Sequence, residues 1–185
     1  MPAASRTPRE RWVEAGLRAL GEAGPDAVRV EPLARALGVT KGGFYWHFDD
    51  RRALLGEVLD AWERTAVDEP IARLEDAGDA RDRLRGLFAL AGSRPELLAA
   101  DHAVREWARR DAAVARRLKR VDNRRIAYLR TLFGAFCPDP DEVEARALLT
   151  MALYAGGPFV AADHGGRTRA QVVELTLARL LAAPG

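Results

Sequence analysis

A chain of 185 residues, 48% hydrophobic and 30% charged, is long enough to bury a core and too apolar to be disordered. A net charge of +2 excludes a polycation, and a single cysteine, Cys137, excludes an intrachain disulfide. No apolar run is long enough to span a bilayer and no signal-peptide core lies near the N-terminus. The expectation is therefore a cytoplasmic protein with no membrane partner.

Helical periodicity runs along nearly the whole chain, and no alternating strand-like run stands out, which predicts an all-α fold. Met1 to Arg6 reads as a loose tail. Thr7-Pro8-Arg9-Glu10 has the order of a helix start, with threonine at the cap and proline first. Trp12, Val13, Leu17 and Leu20 make its apolar face, and Gly24-Pro25 ends it. Arg6, Arg9 and Arg11 are either a basic arm for DNA or a solvated terminus. A second helix begins near Val30, tolerates Pro32 in its first turn, and packs through Leu33, Ala34 and Leu37. Gly38 suits the left-handed residue that ends many helices, and Thr40 is placed to cap the next one.

The stretch Thr40-Lys41-Gly42-Gly43-Phe44-Tyr45-Trp46-His47-Phe48 holds the clearest chemical signal. Two glycines in a first helical turn each cost about 1 kcal/mol relative to alanine. Close approach of the backbone to a partner surface is a compensating gain. Helix, tight turn and short second helix form a helix-turn-helix pattern, whose second helix meets base edges in the major groove. Phe44 and Phe48, four apart, should face the core. Lys41 is the long donor of the first turn, aimed at guanine or at a neighbouring phosphate. Tyr45 and His47 carry tips suited to phosphate oxygens. After Asp49-Asp50, the cations Arg51 and Arg52 oppose the helix dipole, as a phosphate site would, or are neutralised by the aspartates.

Leu33-Ala34, Leu37-Gly38-Val39, Lys41-Gly42, Phe44-Tyr45, His47-Phe48, Arg51 and Leu54-Leu55 together resemble the DNA-binding domain of the TetR family of transcriptional regulators, from about Pro8 to Trp62. One departure is Val28-Arg29-Val30, where the family usually carries a capping threonine or serine. The resemblance implies a helix-turn-helix domain over 1–50, a linking helix over 51–68, and a helical ligand-binding and dimerisation domain over 69–185. It implies Arg51 on a phosphate, a homodimer on a palindromic DNA operator, and a small-molecule effector.

Further helical stripes follow. Leu84, Leu87, Phe88 and Ala91 form one; Leu97, Ala100, Val104 and Trp107 form another. Asp111 can cap a long helix from Val114 to Phe136, ended by Cys137-Pro138-Asp139-Pro140. Fourteen basic residues against six acids over 81–130 read as a solvated face rather than a second nucleic-acid surface. Arg125 either pairs with Asp122 or lines a cavity. Asp141 starts a helix broken at Gly156-Gly157-Pro158, and Thr168 or Arg169 starts the last one.

The ligand cavity implied by the resemblance takes His102, Trp107, Arg125 and Tyr128 as its candidate wall. The implied dimer takes Met151, Ala155, Gly156, Val173, Leu177 and Leu180. No phosphate loop, nucleophile elbow or metal spacing is present, so no enzyme activity, catalytic residue, metal or cofactor is expected. The repressor reading has two rivals, an activator and a small-molecule-binding helical protein or enzyme with a vestigial DNA-binding head.

Overall fold

The computed structural model describes residues 7–182. Among them the secondary structure is helical, apart from one antiparallel bridge between His164 and Arg167. The reading of Met1 to Arg6, Arg6 included, lies outside the described residues. Two compact units emerge. The first runs to Glu69 and includes Arg94–Val121; the second comprises Pro70–Ser93 and the chain from Asp122 onward.

In the first unit, helix α1 (Arg9–Ala23) begins without a side-chain cap. Thr7 does not cap it, because Pro8 itself holds the cap position and its carbonyl takes the Arg11 N–H at 3.1 Å. Trp12 and Leu20 are wholly buried on its inner face. Helix α2 (Val30–Leu37) likewise has Arg29 at its cap, extended and making no side-chain bond. It ends on Gly38 at φ 69°, ψ 30°, the left-handed conformation glycine tolerates. The Val39 N–H then returns to the Ala34 carbonyl at 2.9 Å, closing the helix end. Helix α3 is short (Lys41–Phe44) and passes into a turn.

Helix α4 (Arg51–Glu63) is capped by Asp50, whose carboxylate accepts the Ala53 N–H at 2.7 Å. It buries Leu54, Leu55, Val58, Leu59 and Trp62. Gly16 of α1 lies so close to Val58 that a Cβ there would stand 2.6 Å from its methyl. A wider turn at Arg64–Asp68 continues α4 with π geometry, and the Thr65 hydroxyl bonds back to the Ala61 carbonyl at 3.0 Å. Helix α5 (Glu69–Leu74) follows, then α6 (Ala80–Ser93) and α7 (Pro95–Ala108). Trp62 Nε1 donates to Asp101 Oδ1 of α7 at 3.2 Å, and Arg105 holds the other carboxylate oxygen at 2.9 Å. Asp101 is thus a fully buried charge that is paired and hydrogen-bonded, the condition on which burial is tolerated.

Helix α8 (Ala112–Gly134) is capped by Asp111, which accepts the Ala113 and Val114 N–H groups at 2.8 and 3.2 Å. In the second unit a core forms from Leu84, Leu129, Leu132, Phe133, Cys137, Val143, Ala147 and Leu181. Helix α9 (Pro140–Gly156) starts one residue earlier than Asp141, because Asp139 caps it and accepts the Asp141 N–H at 3.0 Å. Pro158 breaks it into a single 3-10 turn, as its missing N–H requires. Helix α10 (Arg169–Leu181) opens on Thr168, which exchanges bonds with Gln171 in a capping box. Arg146 is buried and donates to Glu142 at 2.7 Å and to the Leu180 and Ala182 carbonyls at 2.8 and 2.7 Å. A cation there satisfies carbonyls that the end of α10 leaves unpaired.

Candidate nucleic-acid interface

The four-residue spacing of Phe44 and Phe48 drives both rings inward. Their centroids stack 5.2 Å apart, and Trp12 meets Phe44 edge-on at 5.4 Å. Phe44 is wholly buried and Phe48 nearly so. This aromatic footing fixes the direction of everything between them. Thr40, Lys41, Gly42, Tyr45 and Trp46 are exposed, Tyr45 at 56% and Trp46 at 71%, while Gly43 and His47 are half-buried. The turn 40–48 therefore divides its side chains into an inner aromatic set and an outer set that is polar or amphipathic.

The two glycines have no internal role. A Cβ at Gly43 would meet nothing within 4 Å, and one at Gly42 only the Thr40 hydroxyl at 3.8 Å. Neither has a positive φ. Among the described residues nothing demands glycine at either position, which leaves room for close approach of an outside surface.

Thr40 departs from expectation. Its backbone is extended at the cap position, but its hydroxyl makes no capping bond. Lys41 Nζ lies 2.7 Å from Glu31 Oε1, with both side chains well exposed. The contact raises the lysine pKa, and the same hydrogen bond holds the Glu31 carboxyl below its ordinary range.

Two arginines expected on DNA have partners within the fold. Arg9 Nε donates to both carboxylate oxygens of Glu57 at 3.0 and 2.9 Å, its guanidinium lies 4.5 Å from the Phe48 ring, and it also donates to the His47 carbonyl. It clasps α1 to α4 and to the end of the recognition turn. Arg51 Nε donates to the Val28 carbonyl at 2.6 Å, and its terminal amino group to the Pro25 carbonyl. Those carbonyls belong to the loop where Arg29 replaces the usual capping residue. The sequence reading missed this because backbone carbonyls 23 and 26 residues away leave no local signature.

The expected cavity wall is not gathered in one unit. His102 and Trp107 lie in the first, Arg125 and Tyr128 in the second. Arg125 lies 3.4 Å from Asp122 and 5.0 Å from the Tyr154 ring, which favours the paired reading of that residue. The expected dimer residues are partly covered within the second unit itself. Met151 and Leu177 pack on the second unit's own core and Leu180 is buried, while Ala155, Gly156 and Val173 are half-buried. Leu148, Leu149 and Leu175 are instead exposed at 63%, 58% and 54%. On helices apolar nearly all round, the sequence pattern does not fix which side faces the core.

A short helix projecting polar and amphipathic side chains from an aromatic base, with α2 closing onto it through a left-handed glycine, defines a helix-turn-helix DNA-binding head. The profile of bacterial regulatory proteins of the tetR family matches residues 13–58. The chain is 32% identical over 96 residues to the class A tetracycline repressor of Escherichia coli from transposon 1721, covering 45% of this chain and 44% of that one. It is 28% identical over 153 residues to the regulator BetI of Rhizobium meliloti, covering 79% of this chain and 75% of that one. A crystal structure of a transcriptional regulator from Saccharomonospora viridis in complex with choline superimposes with a TM-score of 0.70 at 22% identity, covering 94% of each chain. A TetR-family regulator from a Rhodococcus species gives 0.67 at 23% identity, covering 93% of this chain and 95% of that one. Residues 13–58 thus carry the DNA-binding domain of the tetR family of bacterial regulatory proteins, and the chain matches less than half the length of the class A tetracycline repressor.

Proposed function

We propose that the protein is a homodimeric repressor that binds a palindromic operator and is released from it by a small molecule. The carrying observation is the division of the 40–48 turn, with Phe44 and Phe48 buried beneath exposed Lys41, Gly42, Tyr45 and Trp46. Lys41 reaches a guanine or a neighbouring phosphate, and Thr40, Gly42 and Gly43 bring the backbone close to base edges. Tyr45 and His47 fix the register on phosphates. Arg51 supports the head by holding the 25–28 loop, and any phosphate contact it makes uses what its two internal bonds leave.

The dimer forms through Leu148 and Leu149 of α9 and Leu175 of α10, with Ala145, Ala152 and Ala178 beside them. Exposed leucines on successive helices favour burial against a like surface, and a two-fold pairing provides one. Two heads then meet successive major grooves about 34–36 Å apart. The regulator crystallised with choline supports the effector reading by likeness of fold.

The test is fluorescence anisotropy on duplexes spanning the DNA that flanks the protein's own gene, at several salt concentrations. Tight binding to one duplex, weakening steeply with salt, is expected. Absence of salt-sensitive binding to every such duplex would leave the head vestigial and the body a small-molecule binder.

A further inference from the structure

In the second unit the arginines near α6 and α8 have partners. Arg81 donates to the Leu181 carbonyl at 3.2 Å and lies 3.9 Å from the Phe136 ring. Arg85 meets Asp82 at 2.9 Å, Arg130 meets Glu144 at 2.6 Å, and Arg146 is paired as described. Arg83 differs. It is half-buried, its Nε is buried, and among the described residues that nitrogen has no hydrogen-bond acceptor. The Tyr128 hydroxyl is buried too and equally without a partner. The two are electrostatic neighbours. Burial raises the Tyr128 pKa, the Arg83 charge acts against that rise, and Glu75 adds to it.

A guanidinium Nε–H and a phenol O–H, both buried donors without an acceptor, cost free energy as they stand. Leucines lie along α5 and α6. Leu87 follows Arg83 one turn along α6 and packs on the core that Tyr128 also touches. Gly86 lies so close to Leu74 of α5 that a Cβ there would stand 2.4 Å from a leucine methyl.

We propose that Arg83 and Tyr128 form the anchoring end of an effector site for a monocarboxylate with an apolar body. The arginine takes one carboxylate oxygen through Nε and a terminal amino group, and the Tyr128 O–H donates to the other. The guanidinium and the Tyr128 O–H together supply the donors for one carboxylate. Glu75 opposes a second negative charge, which selects a carboxylate over a phosphate dianion. The apolar body lies along Leu87 and Leu74. This deepens the effector reading above, but its readout needs no DNA, so its failure and a failure of operator binding are told apart.

The experiment is thermal unfolding of the full chain with octanoate, 1-octanol and octyl phosphate as probes, in wild type, Arg83→Met and Tyr128→Phe. Octanoate at roughly 100 times its Kd should raise the wild-type Tm by about 5–10 °C. Octanol and octyl phosphate should do much less. Arg83→Met should abolish the octanoate response, and Tyr128→Phe should weaken binding by about tenfold. Without ligand, Arg83→Met should unfold at the wild-type temperature or above it, because it removes a half-buried charge whose Nε has no hydrogen-bond acceptor. A lower Tm for that variant would make Arg83 structural and overturn the proposal. So would an octanoate response that is absent from wild type, unchanged in Arg83→Met, or matched by octanol.

Discussion

The head and the C-terminal unit both expose large side chains, but on different footings. Tyr45 and Trp46 stand on a turn whose flanking rings, Phe44 and Phe48, are buried and stacked. Each carries an apolar body with a polar tip, which suits a partner surface that is part apolar base and part charged phosphate. Leu148, Leu149 and Leu175 lie on regular helices and carry no polar atom, so only another apolar surface satisfies them. The first kind of exposure suits the DNA contact proposed above and the second suits the proposed pairing of two copies.

Breaking the footing of the head should have the largest effect. Phe44→Ala removes a wholly buried ring packed against Trp12 and Phe48. A loss of about 3–5 kcal/mol in urea unfolding is expected, with DNA binding gone. An unchanged midpoint would mean that the turn does not depend on its rings.

Next comes the second kind of exposure. Leu148→Glu places a charge in the face proposed for pairing while leaving the unit's core intact. Sedimentation should show monomers, and operator affinity should fall by about a hundredfold or more, because two heads no longer bind as one unit. A dimer that survives the change would move the interface elsewhere.

A smaller effect concerns the clasp beneath the head. The Arg9 hydrogen bond holds the Glu57 carboxyl below its ordinary pKa. A depressed carboxylate contributes stability above its unfolded pKa, and the contribution disappears as pH falls through the folded value. The stability difference between wild type and Glu57→Gln should therefore be constant above about pH 5 and shrink below about pH 4. A difference that persists at pH 3 would sink the ion-pair account.

The smallest effect tests the pair at the tip. Glu31→Gln frees Lys41 from an exposed partner. Binding to a mixed-sequence 30-bp duplex should tighten by about two- to fivefold, with little change in unfolding. Lys41→Ala in the same background should remove that gain. Equal tightening without the lysine would assign the effect to the carboxylate's own repulsion of phosphate.

The head was legible in the sequence because its signals are local. A four-residue spacing fixed the inward faces of Phe44 and Phe48, and Gly38 announced its own left-handed conformation. What escaped was long-range. The clasp of Arg9 on Glu57, the bonds of Arg51 to carbonyls of the 25–28 loop, and the bond of Trp62 to the buried Asp101 join positions whose separation carries no pattern. In the second unit the difficulty was one of phase. Met151 and Leu148 differ by less than a turn, and both are apolar, yet one packs on the core and the other faces outward. The orphaned Arg83 was invisible among fourteen basic residues until its neighbours proved to have partners.

Cys137, the chain's single cysteine, lies at 3% exposure within the second unit's core. A thiol so placed reacts with an external reagent only when that core opens, so its labelling rate is a clock for local unfolding. Any compound that occupies the second unit must slow the clock, and the molecule carries this reporter without a label being added.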